Sequence, residues 1–407
     1  MRPQAIRLWS GSIGFGYLAL ALALLLTAPR GSAMETRALP AAASDAMAQM
    51  ASEPAIAEYR RLLKQYLEAR GAFEQEAGAY WSAISEKRRG RNAKRRDHQT
   101  IALDDYVLTQ PPIYGGPKRP VNPAPEPEPE RPPREHKAIP VVADLLKAAA
   151  EQFRFAPQRP SSEIEFKRAY AQVASAAGLT REQAVRVYSF ETGGNGNYDM
   201  QAGQEYSRRG RPISTAIGYN QLLTTNSVEL VAEQGPVLVR ALTEKAAQLS
   251  GAPRQAMDHK IDVLKRMVAF VSSVPDEWAE HDKLANTPRG WAVHAMVLDI
   301  DVGPLLQTHK LLTSVIFARI KGYTRALTAA ELEMMNLTGD GTGLDMVTMP
   351  QAMREQVPTS NFFQRNGYER NPVAINHNTV AKLLEVTDSR MDSHGKLQGA
   401  RDLAAAF

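Results

Sequence analysis

No cysteine occurs among the 407 residues. That excludes disulfides and thiolate metal sites, although it does not identify a compartment. Histidine is scarce, at 8 residues, and His259, His281, His294 and His309 fall on separate helical patterns without paired ligand spacing. A His-Glu-x-x-His run, a phosphate-binding glycine loop and a serine-nucleophile elbow are all missing. The stretch Asp340-Gly341-Thr342-Gly343-Leu344-Asp345 lacks the alternating oxygens of a calcium loop and reads as a turn between helices. No metal and no cofactor is expected. Sustained apolar–polar alternation is absent too, so little strand is expected.

What is present begins at the N-terminus. Arg2 and Arg7 precede an apolar run from Ile13 to Ala28, and Gly31-Ser32-Ala33 offers small residues for cleavage. This is the pattern of a secretory signal over residues 1–33. The run is short for a full membrane span, with an uncleaved inner-membrane anchor as the alternative. The expected location is the periplasm or the exterior. The net charge is only +5. The dense run Lys87, Arg88, Arg89, Arg91, Lys94, Arg95 and Arg96 suits a membrane surface, wall-peptide carboxylates or a solvated helix end. Export argues against nucleic acid as its partner.

Residues 34–109 form an N-terminal helical region. Within it, Ile56, Tyr59, Leu62, Leu63, Tyr66, Leu67, Phe73, Tyr80, Trp81 and Ile84 recur at nearly helical spacing. One long helix over 54–89 follows, whose apolar face needs a partner: the main domain, a second copy or a membrane. Residues 110–140 are proline-rich, a semi-rigid linker of polyproline character. The main domain is expected over 141–386, with 387–407 as a C-terminal tail.

In the main domain, Ser162 with Glu165 and Thr180 with Gln183 read as capping boxes, and Gly178 ends the first of the two helices. Residues 195–217 carry little helical pattern and suggest a loop or small hairpin beside a cleft. A helix from Asn226 is expected to close at Gly235-Pro236, followed by helical patterns near 236–249, 255–273, 289–320, 328–336 and 376–386. The fold class is mainly α.

The second capping box opens a helix continued by Ala184, Val185, Val187, Tyr188 and Phe190, stopped by Gly193-Gly194. Glu191 therefore lies in the last turn. The helix dipole disfavours an ionised carboxylate there, and Phe190 and Tyr188 can exclude water from it. Both effects raise the pKa of an acid, which suits a general acid.

Glu191-Thr192-Gly193-Gly194 resembles the Glu-Ser motif of lytic transglycosylases and goose-type lysozymes. Gly218-Tyr219-Asn220-Gln221-Leu222 resembles their Gly-Leu-Met-Gln motif, matching at Gly218 and Gln221. Met334-Met335-Asn336 is the best match to their Ala-Tyr-Asn motif, with Asp299–Pro304 as a rival segment. The resemblance implies a lysozyme-like helical domain acting on peptidoglycan glycan strands. It implies Glu191 as catalytic acid, with Gly218, Tyr219, Gln221, Asn336 and Tyr198 in the substrate groove. Amides of Gln221 and Asn336 suit N-acetyl groups, and the rings of Tyr219 and Tyr198 suit stacking on sugars. Lytic transglycosylases use one acid, which protonates the glycosidic oxygen and then helps deprotonate the sugar's own C6 hydroxyl. The alternatives are a goose-type hydrolytic muramidase using Asp199 or Glu205 to activate water, and a non-catalytic wall-binding scaffold.

Overall fold

A computed structural model describes residues 53–124, 139–204 and 211–407. The signal pattern at 1–33, residues 125–138 of the proline-rich linker and Glu205 lie outside the described residues. The described chain is mainly helical, at 68% helix and 1% strand.

The first helix, α1 (Glu53–Arg96), is followed by α2 (Val142–Phe153), α3 (Glu163–Ala177), α4 (Arg181–Thr192) and α5 (Thr224–Ala246). Then come α6 (Gly251–Val271), α7 (Trp278–Ala285), α8 (Pro288–His294) and α9 (Val302–Ile320). The order continues with α10 (Ala329–Thr338), α11 (Asp340–Thr348), α12 (Gln351–Arg354), α13 (Arg365–Glu369) and α14 (Pro372–Asn376). The chain closes with α15 (Val380–His394) and α16 (Gln398–Ala406). Two compact units divide it. Of the described residues, one holds 139–349 and 382–407; the other holds 53–124 together with 350–381.

In the unit built on α1, the helix buries Ala77, Trp81 and Ile84. Trp81 packs on Tyr368 with ring centroids 5.6 Å apart. The Tyr80 hydroxyl shares a hydrogen bond with Ser360 Oγ at 2.6 Å and donates to the Thr109 carbonyl at 3.0 Å. Much of the basic run turns inward. Arg88 donates to the carbonyls of Asn361 and Phe363 at 3.0 and 2.9 Å. Arg91 is 1% exposed, donates to the carbonyls of Asp105 and Asn361, and lies 4.3 Å over the Tyr106 ring. Burial pushes the Arg88 guanidinium down to about 10. Lys94 pairs with Asp105 at 2.7 Å and Lys87 donates to the Asp104 carbonyl at 2.5 Å. These four cations are thus engaged within the unit, while Arg89 and Arg96 stay exposed.

The expected domain limits of 141–386 therefore need correction, because 350–381 groups with α1. Sequence pattern does not reveal such a return, since the partners are some 270 residues apart, as for Arg91 and Asn361. A chain shortened to begin at Ile139 should keep amide protection over 139–349 yet be cut by protease within 350–381. Wild-type protection of 350–381 in that shortened chain would contradict the division.

In the other unit, α9 packs against α3, α5, α10 and α11, and α2 packs against α8. The Thr180–Gln183 capping box forms in full, whereas only half of the Ser162–Glu165 box does, because the Glu165 carboxylate accepts from Ser161 instead of the Ser162 amide. Thr180 and Gln183 cap α4 reciprocally at 3.1 Å, and Ser162 Oγ accepts from the Glu165 amide at 3.2 Å. The Gly235-Pro236 stop does not hold. α5 continues to Ala246 with Pro236 inside it. Gly235 lies so close to α6 that a Cβ there would sit 2.6 Å from Val268. Packing against α6, α7, α8 and α9 outweighs the proline cost of about 3 kcal/mol. The helical pattern over 289–320 is interrupted: α8 gives way to a 3-10 turn at Ala295–Leu298 before α9. Residues 340–345 are not a turn but open α11, and the tail expected at 387–407 is helical, with Ala400 and Leu403 buried. Among the described residues of the segment 195–217 there are isolated bridges, Gln201 with Ile217 and Ile217 with Leu222.

Candidate functional site

Glu191 lies in the last turn of α4 as the helical pattern dictates, and Gly193, after Thr192, caps it in the left-handed region at φ 63°. The side chain is only 5% exposed. Across from it lies α10, which packs directly on α4. Asn336 Nδ2 donates to Glu191 Oε1 at 2.9 Å, joining residues 145 apart in sequence. Gly343 permits α11 to close against α10, since a Cβ there would fall 2.4 Å from the Met335 Cα.

The sequence reading missed Glu333. It stands one turn before Asn336 on α10 and is fully buried. As a carboxylate neither of its oxygens has a donor. As an acid it donates to Glu191, and two carboxylates in contact in a buried place cannot both ionise. Burial, then the Glu191 charge, hold Glu333 well above the usual carboxylate range. Burial pushes Glu191 up to about 7, opposed by the bond from Glu333, by Lys310 and by Asn336. The pair thus keeps at least one proton at neutral pH. The signal for Glu333 was a charged residue on the apolar side of α10, visible only once Asn336 is oriented.

Lys310, on α9, acts electrostatically on Glu191 and Glu333 and also on Glu229, Glu233 and Asp340. Glu229 and Glu233 lie one turn apart on α5, and burial first, then the Glu233 charge, push Glu229 up to about 7. Lys310 is therefore a cation shared by these acids.

The other expected groove residues have different places. Gly218 has φ 84°, and a Cβ there would meet Gln307 Nε2 at 2.1 Å, so only glycine fits. Gln221, at φ 42°, is buried and donates to the Gly218 carbonyl at 2.8 Å, while its Oε1 has no partner among the described residues. Tyr219 is fully buried among Phe166, Tyr170 and Tyr188, and its hydroxyl donates to Glu163. Its ring is core, so the expectation that it stacks on a sugar is corrected. Tyr198 is 8% exposed, stacked on Phe166 at 5.0 Å, and takes a hydrogen bond from Arg159 at 2.7 Å. That ring too is occupied by protein. Asp199, a candidate water-activating base, is in an ion pair with Arg159.

The rival third motif has a structural role. Asp299 accepts from the amides of Gln158, Asp301 and Val302 at 2.8, 2.9 and 3.2 Å, capping the start of α9. It also pairs with buried Lys260 at 2.8 Å. Of the two segments, the one in contact with Glu191 is that of Asn336.

Comparisons with protein-family models, with curated proteins and with solved structures give no match for this chain.

Proposed function

We propose that this chain is an exported peptidoglycan-cleaving enzyme, a lytic transglycosylase with Glu191 as its one general acid and base. The observation that carries the reading is the Glu191–Asn336 contact beside Glu333, with Glu191 pushed up to about 7. An acid titrating there is protonated in a large fraction of molecules at neutral pH, as proton donation requires.

The chemistry follows from that proton. Glu191 gives it to the glycosidic oxygen between two sugars, the bond to the anomeric carbon breaks, and the leaving sugar departs as an alcohol. The resulting Glu191 carboxylate is steadied by Asn336 and by the Glu333 acid. It then takes the proton of the C6 hydroxyl of the sugar that bears the anomeric carbon, as that oxygen bonds to the anomeric carbon. The attacking group is already tethered, so no water is activated and no second free carboxylate is needed. This agrees with Asp199 being held by Arg159 and with Glu333 being protonated. The free Gln221 Oε1 suits an acceptor for an N-acetyl amide.

Digestion of purified cell walls tests the proposal. The expected products carry 1,6-anhydro-muramic ends. Reducing ends would instead indicate a hydrolytic muramidase, and wall binding without any turnover a scaffold.

A further inference from the structure

The last turn of α4 carries Glu191, and its geometry is not set by α4 alone. Two successive glycines, Gly193 at φ 63° and Gly194 at φ 78°, follow the acid. Such a pair is intrinsically loose. At the other end of the sequence, α16 begins at Leu397, an N-cap residue that makes no side-chain cap. The first amides of a helix need partners, and Leu397 cannot supply one.

These two deficits answer each other. The Gly399 amide donates to Asn195 Oδ1 at 2.9 Å and the Ala400 amide to the Gly194 carbonyl at 2.8 Å. The loop after the acid is therefore the cap of α16. In return, His394 Nδ1 at the end of α15 donates to the Ser189 carbonyl of α4 at 3.1 Å. The backbones touch: a Cβ on Gly194 would lie 2.3 Å from the His394 carbonyl oxygen. One on Gly399 would lie 2.7 Å from both the Gly194 carbonyl and the Tyr188 hydroxyl. Arg186 of α4 adds ion pairs to Asp388 and Asp392 of α15 at 2.7 and 2.5 Å.

We infer that residues 388–400 form a clasp that positions Glu191, with Asn195, His394 and Gly399 as positioning residues rather than catalytic ones. The inference rests on the reading of Glu191 as the acid, but its physical content is the burial and titration of that side chain. Without the clasp the glycine pair is free to fray, water reaches Glu191, and its carboxyl returns toward the ordinary range.

Asn195 is exposed, so Asn195→Ala leaves the core untouched. The expected result is a Glu191 titration midpoint lowered by at least about one pH unit, followed by carboxyl NMR. Amide exchange over 190–196 should rise at least about tenfold. Wall turnover should fall at least about tenfold in kcat with KM little changed. Asn195→Asp keeps the acceptor and should restore all three. Gly399→Ala is the second variant. Alanine favours a helix at that position, so a Glu191 shift must come from the close approach of α16 to Tyr188, Gly194 and Asn195. Wild-type titration and exchange in both alanine variants would overturn the clasp. If the unaltered protein has no wall turnover but the titration moves as expected, the clasp stands and the enzymatic reading falls.

Discussion

Glu191→Gln should abolish wall cleavage, with a loss of at least about a hundredfold, while the fold persists. Glutamine keeps the shape of the side chain and the oxygen that accepts from Asn336 at 2.9 Å. Its own amide hydrogens can be taken up by Glu333, whose oxygens otherwise have no donor. What it lacks is an acidic proton. Helical circular dichroism should be unchanged, and stability at pH 8 should not fall. An acid pushed up to about 7 by burial resists ionisation in the folded chain but not in the unfolded one. Stability from such a group is complete below its unfolded value near 4.5 and is lost as pH rises through the folded value. Glutamine removes that loss. Full activity of the purified variant would take Glu191 out of the mechanism.

How much of this was legible beforehand depends on whether the cause is local. The helix of the acid was readable because its signals are: the Thr180–Gln183 box, the apolar face and the Gly193 stop act within about one turn. The pairing of Glu191 with Asn336 came only through motif order, since no local pattern links residues 145 apart. Tyr219 shows the opposite failure. Aromatic residues beside a motif suggest a groove, yet three neighbouring rings, with centroids 4.8 to 5.4 Å from that of Tyr219, make it core. Pro236 misled because a local rule was outweighed by tertiary packing, and Leu397 gave no helix signal because its cap comes from Asn195. Glu333 was invisible for a physical reason. A buried glutamate has the same letter as a solvated one, and only the helix packing turns it toward Glu191.

The second large effect belongs to that residue. Glu333→Gln should leave the alkaline limb of the activity profile in place and stabilise the protein at high pH. Glu333 is held well above the usual range by burial, by the Glu191 charge and by its bond to Glu191. In the native protein it remains protonated and donates. A glutamine amide donates to Glu191 as the Glu333 acid does, so the bond that opposes the rise of Glu191 is kept. The Glu191 midpoint should then stay at about 7, because burial is what raises it. Turnover should follow the pH profile of the unaltered protein. Stability, in contrast, changes. Below the unfolded value a protonated Glu333 and a neutral amide in its place are equivalent, so the variant should match the unaltered protein at pH 4. Above it the unfolded chain gains by ionising Glu333 and the folded chain does not, so the unaltered protein loses stability that the variant keeps. The expected gain at pH 8 exceeds about 1 kcal/mol, since a tenfold difference in proton affinity between the folded and unfolded chains is worth about 1.4 kcal/mol. Thermal unfolding at the two pH values, beside the activity profile, checks both halves. A limb displaced from that of the unaltered protein, or a variant that loses as much stability from pH 4 to pH 8 as the unaltered protein does, would mean that Glu333 is not a protonated donor to Glu191.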